Sequence, residues 1–179
     1  MNTGILFYFA RKTSVCQKII GRAAGFFGME LSAVSVCASR GGVSGGIAPL
    51  LHKYSAVFLV SSSPGKRPDC VSEVFRVLRV PLDREGEPRG VLKLEGKQNR
   101  GYLIESVNQA IVIFPDDPCE ILRMLPAACG RLKEKFELEG EFPEHRSIDY
   151  AELVERCMGP AESEAPESRA ARTAPAGKD

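Results

Sequence analysis

Apolar residues follow two rhythms along this chain. Gly4 to Ala10, Ala56 to Val60 and Ala110 to Phe114 are unbroken apolar runs. Short runs of this kind, rich in β-branched residues, fit strands buried on both faces of a parallel sheet. Between them the spacing lengthens. Val15, Ile19, Ile20, Ala23, Ala24 and Phe27 recur at three- and four-residue steps, with Gln17, Lys18 and Arg22 in the gaps. This predicts an amphipathic helix over 15–27, capped by Thr13 or Ser14 and ended by Gly28. Leu31 to Ala38 alternates small and β-branched residues and reads as a second strand, and Ile47 to Tyr54 reads as a short helix. Val71, Val74, Phe75 and Leu78 return to helical spacing within 70–80.

The last third opens with Val91 to Glu95, an alternating strand, and then Gly101 to Glu105, which pairs with Gln109 to Phe114 around the turn Ser106, Val107, Asn108. Pro118 suits the first turn of a helix, where its missing N–H is not needed. Cys119, Leu122, Leu125, Ala128 and Leu132 continue that helix at regular spacing, with Pro126 expected to bend or restart it. Strand and helix thus alternate three times before a hairpin and a final helix. The order predicts an α/β fold, a three-layer α/β/α sandwich with a mostly parallel sheet and a short β-hairpin. One domain is expected over 1–137. A peripheral helix at 145–156 falls within 138–158, and 159–179, rich in Ala, Pro, Glu and Ser, reads as a disordered tail.

Composition narrows the function classes. Lys and Arg number 24 against 23 Asp and Glu. That balance leaves no broad basic surface for nucleic acid. No apolar run approaches the length of a membrane span, and Met1 to Ala10 is too short and too aromatic for a secretion signal. The 6 cysteines lack any Cys-x-x-Cys spacing, and Cys16, Cys37 and Cys129 fall at apolar positions. We therefore expect reduced thiols in a cytoplasmic protein. His52 and His145 stand far apart with no ligand set around them.

Candidate chemistry concentrates in loops that follow strands, because ligands of open α/β sheets bind beyond the carboxyl ends of strands. Ser39 to Gly46 carries Arg40 and several glycines. Such a loop can aim backbone N–H groups at a phosphate or be a plain flexible turn, and its spacing fits neither dinucleotide nor P-loop fingerprints. After the third strand come Ser61, Ser62, Ser63, Pro64, Gly65, Lys66, Arg67, Pro68 and Asp69. The hydroxyls suit hydrogen bonding to a ligand and the two cations suit an anion. Asp116, Asp117 and Glu120 fall at the turn between Phe114 and the last helix.

The stretch Gly101-Tyr102-Leu103-Ile104-Glu105, followed by a strand and then Pro115-Asp116-Asp117-Pro118-Cys119-Glu120-Ile121-Leu122-Arg123-Met124-Leu125, resembles the molybdopterin-binding (molybdenum cofactor biosynthesis) domain family. The resemblance is to the version of that domain found in competence/damage-inducible proteins, and it spans roughly 1–137. Gly101, Pro115, Pro118, Glu120 and Asp69 match the family pattern, while Ser61, Ser62 and Asp116 replace glycines. Glycine lets backbone approach a ligand closely, and serine does so less freely. The resemblance implies a divergent stand-alone domain that binds a phosphorylated pterin or a nucleotide at strand-end loops, without implying catalysis. It implies a site drawn from Ser61, Ser62, Ser63, Lys66, Arg67, Asp69, Gly101, Asp116 and Glu120. Magnesium, held through ligand phosphates, would take Asp69 and Asp116, since hard carboxylate oxygens suit that ion. A homo-oligomer is expected. The alternative from another class is a ligand-free oligomeric scaffold or protein-interaction module, with Asp116 and Asp117 repelling phosphate.

Overall fold

The computed structural model describes residues 1–39, 42–62 and 70–143. The elements are β1 (Asn2–Tyr8), α1 (Thr13–Gly25), β2 (Glu30–Cys37), α2 (Val43–Lys53), β3 (Ala56–Ser61), α3 (Cys70–Leu78), β4 (Val91–Glu95), β5 (Arg100–Glu105), β6 (Ala110–Pro115) and α4 (Pro118–Phe136). The six strands form one sheet in the order β2-β1-β3-β6-β5-β4. The pairs β2–β1, β1–β3 and β3–β6 are parallel, and β6–β5 and β5–β4 are antiparallel. Helices α1 and α4 pack together on one face, α2 and α3 on the other. The expected three-layer α/β fold is the one observed.

The apolar runs become strands because helices cover both of their faces. Ile5, Leu6, Phe7, Val57, Phe58, Leu59, Val112 and Phe114 are fully buried in β1, β3 and β6. Phe58 and Phe114 stack nearly parallel across β3 and β6, with centroids 6.3 Å apart. On the opposite face Leu6 and Tyr8 meet Val43, Ile47 and Phe75 of α2 and α3.

Two expectations are corrected. Neither Thr13 nor Ser14 caps α1. Lys12 holds the cap position with no side-chain cap bond, and Asp116, remote in sequence, accepts from the N–H groups of Arg11 (2.6 Å) and Lys12 (3.1 Å) instead. Nor does Pro126 restart the last helix, which runs as one element from Pro118 to Phe136. Pro126 is exposed, and the buried positions around it (Ile121, Met124, Leu125, Ala128, Cys129, Leu132) hold the helix to its neighbours despite one missing backbone bond. Smaller differences are local. β1 ends at Tyr8 because Phe9 adopts φ 51°, and β3 and β6 each run one residue further, to Ser61 and Pro115.

Beyond α4, Glu137 turns left-handed at φ 50°, and Phe142 meets Phe27 edge-on at 4.9 Å. The helix expected at 145–156 and the tail at 159–179 lie outside the described residues. Among those described, no helix is long and apolar enough to cross a membrane.

Candidate strand-end site

Neighbouring strands β3 and β6 send their chains to opposite faces, β3 towards α3 and β6 towards α4. Such divergence opens a crevice beyond the carboxyl ends of the two strands. A cleft of about 460 Å³ occupies this position. Its floor is Ser61 at the end of β3, Ser62 just after it, and Phe114 and Pro115 from β6. One wall is the first turn of α3 with Phe75, and the other is the turn between β4 and β5, Gln98 and Asn99, with Arg100 and Tyr102 beyond it. Leu82, Glu87 and Pro88 close the rim.

Three acidic residues at the β6–α4 turn organise these walls. Asp117 caps α4, its Oδ1 accepting from the N–H groups of Cys119 (2.9 Å) and Glu120 (3.3 Å). Asp116 donates its own N–H to the Ser61 carbonyl at 2.6 Å, and its carboxylate holds the β1–α1 loop. The thiol of Cys16 lies 3.8 Å from the same carboxylate. Burial first, and then Asp116, push that thiol up to about 12, so Cys16 stays protonated.

Glu120 is buried, and its two oxygens accept from the N–H groups of Lys97 (2.7 Å) and Gln98 (3.1 Å). The turn wraps so closely that a Cβ on Gly96 would overlap the Glu120 carboxylate. Only glycine fits there. Glu120 therefore positions the turn that carries Gln98 and Asn99 into the cleft.

The site residues expected from sequence separate into groups. Ser61 and Ser62 line the cleft. Asp116 and Glu120 stand beside it with their oxygens committed to backbone N–H groups. Gly101 lies against α4, where a Cβ would come 2.7 Å from the Ile113 carbonyl and 2.8 Å from the Met124 sulfur, so close packing requires the glycine. Ser63, Lys66, Arg67 and Asp69 lie outside the described residues, as do Arg40 and Gly41 of the glycine-rich loop. The loop is shorter than expected, since α2 begins at Val43; Gly46 lies within that helix and packs on Leu6, and Gly42, at its N-cap, sits against Cys37 and Ser39, so both fill structural positions.

Sequence reasoning missed Gln98, Asn99, Arg100 and Tyr102. A polar turn between strands carries no mark of being folded back over a neighbouring strand end; the preceding Gly96 was the one available signal. Arg100 is about half exposed and lies 3.8 Å from both Glu87 and Glu95, distances at which an exposed pair holds the guanidinium loosely. Tyr102 meets Phe75 edge-on at 5.2 Å.

Among solved structures, the protein CinA of Thermoplasma acidophilum superposes with a TM-score of 0.56 at 12% identity, over 75% of this chain and 96% of that one. The molybdopterin biosynthesis enzyme MoaB of Thermus thermophilus superposes with a TM-score of 0.50 at 10% identity, over 78% of this chain and 99% of that one. This chain shares their fold. The α/β architecture implied by the sequence resemblance is thus present, with both neighbours covered almost end to end. No family model matches the sequence, and no curated protein does. At such identities the likeness extends to the fold and not to the identity of the site residues.

Proposed function

We propose that this is a divergent molybdopterin-binding-like domain that takes a phosphorylated pterin or a nucleotide into the strand-end cleft. The observation that carries the reading is the cleft itself, which lies at the divergence of β3 and β6. Its volume of about 460 Å³ suits a small heterocyclic ligand. Its lining supports the same reading. The Gln98 and Asn99 amides can hydrogen-bond a ring edge, the apolar faces of Phe75 and Tyr102 can meet its plane, and Arg100 can meet a phosphate. Lys66 and Arg67, in the connection between β3 and α3, would add cations.

Magnesium fits less well. Asp116 spends its carboxylate on the β1–α1 loop, and among the described residues no three His, Cys, Asp or Glu side chains converge on one point. We derive no step through a metal and propose no catalytic activity.

One observation favours the second reading, a ligand-free scaffold. Asp116 and Glu120, the acidic residues carried over from the resemblance, both serve internal structure. A thermal-shift titration with a reduced pterin phosphate, ATP and AMP, with and without magnesium, separates the two. A ligand at a hundredfold excess over its dissociation constant adds about 2.7 kcal/mol of stability. For a chain of this size that raises the midpoint by roughly 5–11 °C. Arg100→Ala should reduce the shift. No shift with any of these ligands, from folded protein, leaves the scaffold.

A further inference from the structure

The two edges of the sheet are built differently. At one edge, β4 is only 5 residues long and carries Lys93, whose ammonium lies 2.7 Å from Glu87, and Glu95, which faces Arg100 at 3.8 Å. Short length and inward-paired charge are how sheets discourage pairing at an edge. At the other edge, β2 is 8 residues long, and from Leu31 to Cys37 it contains no charge and no proline. Among the described residues its one protection is a bulge at Ser32, where the register with β1 shifts, and from Ala33 to Cys37 the strand runs regular.

Two features coincide on this edge. In a parallel pair, a residue's N–H and C=O point to the same side of the strand, and successive residues alternate sides. The Cys37 carbonyl accepts from Phe9 N–H at 3.0 Å, so Cys37, Ser35 and Ala33 direct their backbone towards β1. Val34 and Val36 therefore direct theirs outward, where β2 has no neighbour in the sheet among the described residues. The same two residues expose their side chains, Val34 by 45% and Val36 by 68%. A partner strand that supplied both a line of backbone groups and an apolar face would replace water on both counts.

We propose that the open edge of β2 is a homodimer interface, in which the strand pairs antiparallel with β2 of a second copy and Val34 of each copy lies opposite Val36 of the other. This register puts Ser35 on the two-fold axis and sets Ala33 against Cys37. It joins outward-facing backbone to outward-facing backbone, as the hydrogen-bonded pairs of an antiparallel ladder require. Like charges never meet, because the paired segment has none, and β-branched residues oppose each other on the exposed face. An isologous contact of this kind closes on itself, giving one continuous sheet through two molecules. The inference does not depend on what the cleft binds.

The test is the mass of the full chain in solution, by sedimentation equilibrium over a wide concentration range. The expected result is a mass that Val36→Lys halves while far-UV circular dichroism stays as in the parent and the thermal midpoint loses its dependence on protein concentration. Val107→Lys, which alters a still more exposed valine on the distant hairpin turn, should leave the mass unchanged. Mild oxidation of Ser35→Cys should give a cross-linked dimer in excess of the parent protein, and Ser32→Cys should not, since Ser32 sits at the bulge, away from the two-fold axis. A monomer at every concentration overturns the proposal and leaves the edge to another protein's strand. An oligomer that keeps its mass in Val36→Lys, or a Ser35→Cys variant that cross-links no more than the parent, overturns it as well.

Discussion

Replacing Glu120 measures how firmly the cleft wall is held. Its carboxylate accepts two backbone N–H groups of the β4–β5 turn, at 2.7 Å and 3.1 Å. A hydrogen bond to a charged acceptor contributes about 1.5–3 kcal/mol net. Lys97 and Gln98 are exposed residues, so once the carboxylate is gone their N–H groups can turn to water, and the lower half of that range applies. Glu120→Ala should then cost about 3 kcal/mol, and Glu120→Gln, which keeps one acceptor oxygen, about half as much. For a chain of this size the Ala variant's melting point should fall by roughly 6–12 °C. The chain has no tryptophan, so urea unfolding is best followed by far-UV circular dichroism. Both measurements are made without ligand, because a residue that merely contacted a ligand would leave the empty protein's stability unchanged. Gly96→Ala adds a second arm. Its Cβ would overlap the Glu120 carboxylate, so it should cost less in the Glu120→Ala background than alone. If Glu120→Ala unfolds within about 0.5 kcal/mol of the parent, the carboxylate does not hold the turn.

Gly101→Ala should destabilise by about 1–3 kcal/mol through overpacking. The new Cβ would sit 2.7 Å from the Ile113 carbonyl and 2.8 Å from the Met124 sulfur. Unchanged urea unfolding would refute the packing role and return Gly101 to the ligand site. Cys129 gives a pH dependence, because burial lifts its thiol from the ordinary 9.0 to about 12. Above pH 9.0 the unfolded thiol ionises while the native one stays protonated, so the native state binds more protons and stability falls as pH rises towards 12. The contribution is complete below that window, and within it the loss is about 1.4 kcal/mol per pH unit. Cys129→Ala should therefore show a shallower alkaline decline than the parent, and equal slopes would contradict the assignment.

Much of the layered fold was legible because burial writes itself into apolar spacing. Ala56 to Val60 and Ala110 to Phe114 could scarcely be anything but strands covered on both sides, and Ile19, Ala23 and Phe27 mark one side of a helix. What periodicity could not reveal were bonds between residues remote in sequence. Thr13 and Ser14 are good capping residues by type, yet α1 has no side-chain cap, and the loop before it is held by Asp116 from another strand end. Pro126 breaks helices by propensity, and tertiary packing of Met124, Leu125 and Ala128 overrode it. In the site, Ser61 and Ser62 were found from their place after a strand. Gln98, Asn99 and Arg100 were not, because a hairpin turn between two edge-side strands gave no sign of facing the ends of β3 and β6. Gly101 and Glu120 fitted the family pattern and reached the right neighbourhood. Their side-chain environments show why these types stand there, the first for close packing and the second for holding a turn.

The bond from Arg11 to Asp116 spans 105 residues of chain. During synthesis from the amino terminus, β1 and α1 emerge long before the carboxylate that secures the loop between them. β3 likewise waits for β6, its parallel neighbour in the sheet. Contacts of such long separation are slow to form, because loop closure must precede any gain from pairing. The strand-end cleft is therefore assembled late, after most of the chain has left the ribosome. Until then the incomplete sheet presents a second bare edge at β3, and the nascent chain is most exposed to mispairing in that interval.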